Sequence, residues 1–177
     1  MKIYFISGGP CIGKTSVIEE LKKQGYFVIP EAARRLAESD KRFVGKSTKE
    51  INMDDFQNSI FKLQREEFEN LKNQKHNVIF SDRGFGDTIA FMKINNLRIP
   101  EEYINYSKMF NNPIVFILEP LDFYEQDGLR QESKEEQDKI HNIIIETYKE
   151  FGYKIIFVAF MPIKERVDFI LNNLQNL

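Results

Sequence analysis

The sequence lacks tryptophan, contains a single cysteine, and has no long apolar stretch. Cys11 has no partner within the chain for a disulfide, which fits a reducing compartment. A membrane-spanning helix needs about 18 consecutive apolar residues, and the apolar runs here are far shorter. We therefore expect a cytoplasmic protein without a membrane span.

Neither sign of charge is in clear excess. The chain carries 25 Lys and Arg against 27 Asp and Glu, so it has no overall positive field that would hold nucleic acid.

His76 and His141 are far apart and lack metal-ligand spacing, and we assign them no role. A length of 177 residues suits one domain, residues 1–177. These features leave the oligomeric state open.

Residues 8–15 read Gly-Gly-Pro-Cys-Ile-Gly-Lys-Thr and match the phosphate-loop pattern GxxxxGK[ST] throughout. The segment lies between an apolar run and a helix-period segment, which is the strand, loop and helix context that this motif requires. Gly8 and Gly13 permit backbone angles that let successive N–H groups close around a polyphosphate. We expect Lys14 to reach the β and γ phosphates of ATP, and the Thr15 hydroxyl to bind Mg²⁺.

The predicted nucleotide-binding segment extends slightly beyond the motif. It comprises Gly8, Gly9, Pro10, Cys11, Ile12, Gly13, Lys14, Thr15 and Ser16. Within it, we expect Cys11 to serve packing rather than redox control.

Five short apolar runs alternate with helical patterns along the chain. The runs cover residues 3–7, 26–29, 78–81, 114–118 and 155–159. They are continuously apolar, as expected for strands buried on both faces of a parallel sheet. Strands that alternate with helices predict a doubly wound α/β fold with right-handed crossovers.

Charged side chains follow the second and third of these strands, at the edge where open α/β sheets bind ligands. Asp82 stands where a Walker B acid would hold Mg²⁺ through water. Arg83 follows it, in place of the glutamate with which hydrolytic proteins activate water. This pair favours phosphoryl transfer to an acceptor over hydrolysis. The alternative for Asp82 and Arg83 is an ion pair at the strand end.

Glu31 follows the second strand and is the candidate general base for an acceptor hydroxyl. The alternative is an acid that stabilises the N-terminus of a short helix over residues 31–38. Arg34 and Arg35 lie on the same helix, where they either contact an anionic substrate or are simply solvated.

The stretch 122–138 is dense in charge, and Asp127-Gly128 gives a turn signal within it. It is either a mobile lid or a solvated surface. In a lid, Arg130 would close on the transferring phosphate. On a solvated surface, Arg130 would form a salt bridge with Glu132 or Asp127.

Several different motifs follow one another along nearly the whole chain. They are the phosphate loop of residues 8–15, Pro30-Glu-Ala-Ala-Arg-Arg35, Ser81-Asp-Arg-Gly84 with Asp87-Thr88, and Leu118-Glu-Pro-Leu121 leading to Tyr124-Glu-Gln-Asp-Gly128 and Arg130. Together they resemble the NadR-like ATPase/kinase group of P-loop proteins, named for its ribosylnicotinamide kinase domain. The resemblance implies a three-layer fold like that of nucleoside kinases. Its five-stranded parallel sheet has the order 2-3-1-4-5, and a lid follows the fourth strand.

Some members of this group look like small-molecule kinases, and at least one eukaryotic branch is described as GTP-binding and regulatory. The chain has no [NT]KxD motif of the kind that reads guanine in switch GTPases. We therefore expect an ATP-binding, Mg²⁺-dependent kinase of a small nucleoside-like metabolite. The alternative is a regulatory protein or slow NTPase that binds ATP or GTP and has no small-molecule acceptor.

Lys14→Ala should weaken nucleotide binding or abolish turnover, because the variant loses the cation held against the β and γ phosphates. The fold should stay intact, since a side chain of the loop contributes little to the core. Calorimetric titration with ATP and a circular dichroism spectrum would measure the two effects. A folded variant with unchanged nucleotide affinity and turnover would contradict the assignment of this loop.

Overall fold

The computed structural model describes residues 2–71, 74–110, 112–120 and 134–175. The strands are β1 (Lys2–Ser7), β2 (Phe27–Ile29), β3 (Val78–Asp82), β4 (Ile114–Leu118) and β5 (Lys154–Val158). The helices are α1 (Lys14–Lys23), α2 (Ala32–Ser39), α3 (Met53–Leu71), α4 (Phe85–Ile94), α5 (Glu101–Lys108), α6 (Lys134–Glu150) and α7 (Ile163–Gln175). Arg130 and most of the predicted lid lie outside the described residues.

The strands form a parallel sheet in the order β2-β3-β1-β4-β5, which confirms the order that the family resemblance implied. β1 lies at the centre, and its residue Ile6 is in register with Asp82 of β3 and Phe116 of β4. Because β1 and β3 are parallel neighbours, the loop after β1 and the residues after β3 emerge at the same edge of the sheet.

Helices cover both faces of the sheet, and β1 contributes side chains to both layers of core. Tyr4 and Ile6 join the cluster that includes buried residues of α1 and α7. Phe5, on the opposite face of β1, joins the cluster that includes buried residues of α3, α4 and α6. This alternation confirms the three-layer α/β architecture.

The strands lie close to their predicted positions, but the sequence did not indicate α4 or α5. α4 is buried over nearly its whole length, so it lacks the alternation of apolar and polar residues by which an amphipathic helix is recognised. Gly84 and Gly86 also weaken the helical signal there. In the described part of the chain, no helix is long and apolar enough to cross a membrane.

Gly86→Ala should destabilise the fold, because α4 approaches α6 closely at this position. A Cβ at Gly86 would lie 2.6 Å from Cε1 of the buried Tyr148 ring. In an open helix the change would gain about 1 kcal/mol of helix propensity, whereas overpacking a core costs about 1–3 kcal/mol. We expect a net loss of about 1–2 kcal/mol in urea unfolding.

Asn70→Ala, at an exposed position of α3, serves as the control and should be neutral or slightly stabilising. A gain in stability for Gly86→Ala would mean that the Tyr148 ring moves aside at little cost.

Candidate active site

The phosphate loop leaves the end of β1 and enters α1 through left-handed backbone. The φ angles of Gly8, Cys11 and Gly13 are 126°, 57° and 85°. A Cβ at Gly8 would lie 2.8 Å from the carbonyl oxygen of Leu118, so a larger residue does not fit there. Cys11 is exposed, which corrects the expectation that its thiol packs within the loop: in this turn the side chain points outward.

Lys14 is 7% exposed, and its Nζ donates a hydrogen bond to the carbonyl oxygen of Gly9. Burial, and next the charge of Arg83, lower the pKa of Lys14 to about 7, although Asp87 and Asp82 act in the opposite direction. A polyphosphate in the loop would bring negative charge to this ammonium group and favour its protonated form.

His141 of α6 reaches the same loop from 132 residues away. The backbone N–H of Gly9 donates a hydrogen bond to Nδ1 of His141 at 3.0 Å. Burial, and next the charge of Lys14, lower the pKa of His141, which favours the neutral ring, whose Nδ1 can accept. The sequence assigned no role to His141, because no local motif marks a contact that only the tertiary fold creates.

Arg166 of α7 supports the loop from the other side. Its Nη1 donates to the carbonyl oxygen of Ile12 at 2.6 Å, and its Nε donates to that of Met161 at 3.0 Å. The guanidinium lies 4.7 Å from the ring centroid of Phe160. Sequence reasoning did not identify Arg166 either, since a lone arginine in an amphipathic helix usually lies on the surface.

Arg83 is the centre of a buried ion-pair network just beyond β3. Its Nε donates to Oε1 of Glu31 at 2.7 Å, and its Nη1 donates to Oδ1 of Asp87 at 3.1 Å. Burial acts to lower the pKa of Arg83, but Asp87 and Glu31 outweigh it and the pKa is raised. Arg83 therefore joins the ends of two strands and the first turn of α4, rather than pairing with its neighbour Asp82.

Glu31 precedes α2 at its N-terminal cap, but within the described residues its carboxylate makes no capping hydrogen bond. Burial acts to raise the pKa of Glu31, and the charge and hydrogen bond of Arg83 outweigh it, so the pKa is lowered. Oε2 lies 3.8 Å from Nη2 of the exposed Arg34, too far for a hydrogen bond. Arg35 pairs with Glu67 instead.

Asp87 holds this network in place. It accepts hydrogen bonds from Ser7 Oγ at 2.6 Å, from Tyr148 OH at 2.5 Å and from the Gly84 N–H at 2.9 Å. With these bonds and Arg83, the carboxylate is fully engaged. One sequence signal for Asp87 was available: it lies three residues after Gly84, at the position where an acidic side chain caps the start of a helix.

Asp82 is the member of the site whose charge is least compensated. It is 5% exposed, and within the described chain its Oδ1 has no hydrogen-bond partner. Burial, and next the charge of Glu31, raise its pKa to about 6. A buried carboxylate oxygen without a partner, near the phosphate loop, fits a hard cation such as Mg²⁺.

Thr15, beside Lys14, is the second candidate ligand for such a cation. The described residues contain no cluster of three or more His, Cys, Asp or Glu side chains that could form an all-protein metal site. Mg²⁺ usually keeps several waters and binds phosphate oxygens together with one or two protein groups, so Thr15 and Asp82 would be enough to hold it.

A cavity of about 170 Å³ opens beside Glu31 and Arg83, between α2, α3 and α4. Its lining residues are Glu31, Ala32, Ala33, Thr48, Met53, Phe56, Gln57, Ile60, Gln64, Arg83, Asp87, Thr88 and Phe91. The walls are mostly apolar, as is typical of small-molecule sites. The structure thus brings Lys14, Glu31, Asp82 and Arg83 close together, with a partly open cavity next to Glu31 and Arg83.

Residues 3–166 match the model of a protein family described as AAA domain. No curated protein matches the sequence significantly. A solved structure of NadR protein in complex with NR superposes with a TM-score of 0.71 at 18% identity, covering 99% of this chain and 51% of that one. The chain therefore spans about half the length of the NadR chain.

Two further solved structures are similar over nine-tenths or more of their length. Thymidylate kinase from Candida albicans has a TM-score of 0.67 at 14% identity, covering 99% of this chain and 91% of that one. Deoxyadenosine kinase from M. mycoides with bound dATP has a TM-score of 0.59 at 22% identity, with 99% and 100% covered. At these identities the likeness establishes the fold, that of P-loop nucleoside and nucleotide kinases. The family match and the NadR fold confirm the resemblance that the motifs indicated.

The contribution of Asp82 to the stability of the ligand-free protein should fall as the pH rises from about 4 to about 6. The pKa of Asp82 is raised from 3.8 to about 6, so in this window the folded chain binds a proton that the unfolded chain has released. The loss is on the order of 2 kcal/mol and persists above pH 6. Asp82→Asn should remove this loss of stability, so the variant should be more stable than the wild type at pH 7. It should also bind Mg²⁺-nucleotide more weakly.

Urea unfolding between pH 4 and pH 8 measures the effect. Asp168→Asn, at an exposed position of α7, is the control and should keep the wild-type pH profile. A wild-type profile for Asp82→Asn would show that the buried carboxylate is compensated in the free protein.

Proposed function

We propose that this chain, which belongs to the AAA domain family, is a P-loop kinase that transfers the γ-phosphate of ATP to a hydroxyl of a small nucleoside-like metabolite. The observation that carries the proposal is the cavity that reaches the Glu31 carboxylate beside the phosphate loop. A hydrolase needs no pocket for a second organic molecule there. A kinase must hold an acceptor hydroxyl in line with the γ-phosphate.

The phosphate loop and Lys14 would hold the β and γ phosphates. Mg²⁺ bound by Thr15 and Asp82 would neutralise charge on those phosphates. GTP remains a second candidate nucleotide. Arg130 lies outside the described residues, and its closing on the transferred phosphate stays a prediction.

Glu31 would orient the acceptor hydroxyl and take its proton. Arg83 holds Oε1 at 2.7 Å, which leaves Oε2 for the hydroxyl. The lowered pKa of Glu31 makes it a weak base. This is sufficient for phosphoryl transfer, whose loose transition state depends on positioning more than on early proton removal. The similar kinases are named for thymidylate, a nucleotide, and deoxyadenosine, a nucleoside, and they favour an acceptor that contains a nucleoside moiety.

The test is ADP formation from Mg²⁺-ATP, and in parallel from Mg²⁺-GTP, against a panel of nucleosides and ribosyl compounds. Without acceptor, turnover should be slow, and the correct acceptor should raise it markedly. Hydrolysis alone at about 1–100 s⁻¹, the range of kinase turnover, would favour an ATPase. Tight nucleotide binding that no acceptor converts into turnover would favour the regulatory alternative.

Glu31→Gln should lower kcat about 10²- to 10⁴-fold, because the amide keeps the shape of the side chain but cannot take the proton. Nucleotide Kd should change little, since Glu31 faces the acceptor side. Glu38→Gln, at an exposed position of the same helix, should behave as the wild type. An unchanged kcat for Glu31→Gln would remove Glu31 from the reaction.

A further inference from the structure

Arg166 of α7 carries a buried positive charge behind the phosphate loop. The residue is 1% exposed, and its Nη2 has no hydrogen-bond partner among the residues that the structure describes. Burial lowers the pKa of Arg166, and no carboxylate in the described chain opposes this effect. The buried Arg83 differs, because Glu31 and Asp87 both pair with it. A buried cation without a carboxylate destabilises the free protein, so an anion bound nearby would stabilise it.

The hydrogen bonds of Arg166 orient one peptide group of the loop. Its Nη1 donates to the carbonyl oxygen of Ile12, and its Nε donates to that of Met161, which ties the loop to the residues after β5. The peptide between Ile12 and Gly13 is trans, so its carbonyl and its N–H point in opposite directions. The Gly13 N–H therefore points away from Arg166.

The Gly13 N–H has no acceptor within the described residues, whereas the Gly13 carbonyl oxygen accepts a hydrogen bond from the Val17 N–H at 3.1 Å. Gly13 directly precedes α1, and the free N–H groups at a helix N-terminus favour anions. A phosphate oxygen is the acceptor that this position of the loop favours.

The guanidinium of Arg166 lies against the backbone of the loop. A Cβ at Gly13 would lie 3.5 Å from its Nη1, and the Phe160 ring covers it with a centroid distance of 4.7 Å. A charge in such a water-poor position is screened less than one on the surface. It therefore acts on a polyphosphate held by the loop even without touching it.

We infer that Arg166 is a positioning residue for polyphosphate binding. It holds the Ile12 carbonyl oxygen so that the Gly13 N–H is aimed at a phosphate oxygen, and its charge attracts the same phosphates from behind the loop. The inference rests on the proposed nucleotide binding and adds a residue to that site. It does not depend on transfer to an acceptor, because binding alone expresses it.

Inorganic tripolyphosphate is the direct probe, because it carries the phosphates without base or ribose. In calorimetry, Arg166→Met should bind tripolyphosphate and Mg²⁺-ATP about 10- to 100-fold more weakly than the wild type, since it lacks both the charge and the hydrogen bond to Ile12. Arg166→Lys should recover part of this affinity, because it keeps the charge but lacks the planar fork that reaches two carbonyl groups. Lys164→Met removes a charge at an exposed position of the same helix and, as the control, should bind like the wild type.

The amide of Gly13 gives the measurement that separates positioning from a structural role. In a proton–nitrogen correlation spectrum of the wild type, saturating tripolyphosphate should move the Gly13 amide proton downfield, because the N–H then donates to an anionic oxygen. At saturation this shift should be smaller in Arg166→Met. A structural arginine would instead affect only the thermal midpoint, and the folded variant would keep the wild-type affinity and shift.

If Arg166→Met does not fold, Arg166→Lys serves for the same measurements and should show a weaker affinity and a smaller Gly13 shift than the wild type. Wild-type affinity and shift in the folded variant would overturn the inference and leave the nucleotide site in place. Weaker binding by the variants, without phosphorylation of any acceptor by the wild type, would retain the role of Arg166 and refute the kinase. Failure of the wild type to bind both tripolyphosphate and ATP would overturn both proposals.

Discussion

Arg83 carries a positive charge on a side chain that is only 14% exposed. The arrangement of the surrounding carboxylates and hydrogen-bond donors follows from the need to compensate this charge. A buried cation needs well-placed carboxylates, and removing one partner of such a pair costs about 3–5 kcal/mol. Glu31 comes from the end of β2 and Asp87 from α4. Asp87 in turn requires Ser7 and Tyr148 as hydrogen-bond donors. The ion pair thereby fixes the Glu31 carboxylate at the edge of the cavity between α2, α3 and α4.

Other groups in the same region remain uncompensated. Asp82 Oδ1 and Gln57 Oε1 have no hydrogen-bond partner within the described chain, and the pKa of Lys14 is lowered to about 7. Under the proposed function, Mg²⁺ would compensate the charge of Asp82, and the phosphates would compensate that of Lys14. The free protein is destabilised at these points, and bound ligands would offset the loss.

The parts of the site that the sequence predicted depend on local structure. The phosphate loop is one continuous motif, and Glu31, Asp82 and Arg83 directly follow strands whose parallel order places them at one edge. His141 was not predicted as a site residue, because its partner Gly9 lies far away in the chain. Asp87 was not predicted either, because it lies in α4, a helix that is buried over nearly its whole length and has no polar face. Cys11 was predicted wrongly, since the backbone turn of the loop decides where its side chain points.

Helix α6 connects the two halves of the site. His141 and Tyr148 are seven residues apart, which is close to two helical turns, so they project from the same side of the helix. His141 contacts Gly9 in the phosphate loop, and Tyr148 donates to Asp87, which positions Arg83. In-line transfer requires a fixed distance between the nucleotide and the acceptor hydroxyl. Under the proposed function, helix α6 contacts both sides and would help to set that distance, whereas the phosphate-loop motif alone would not.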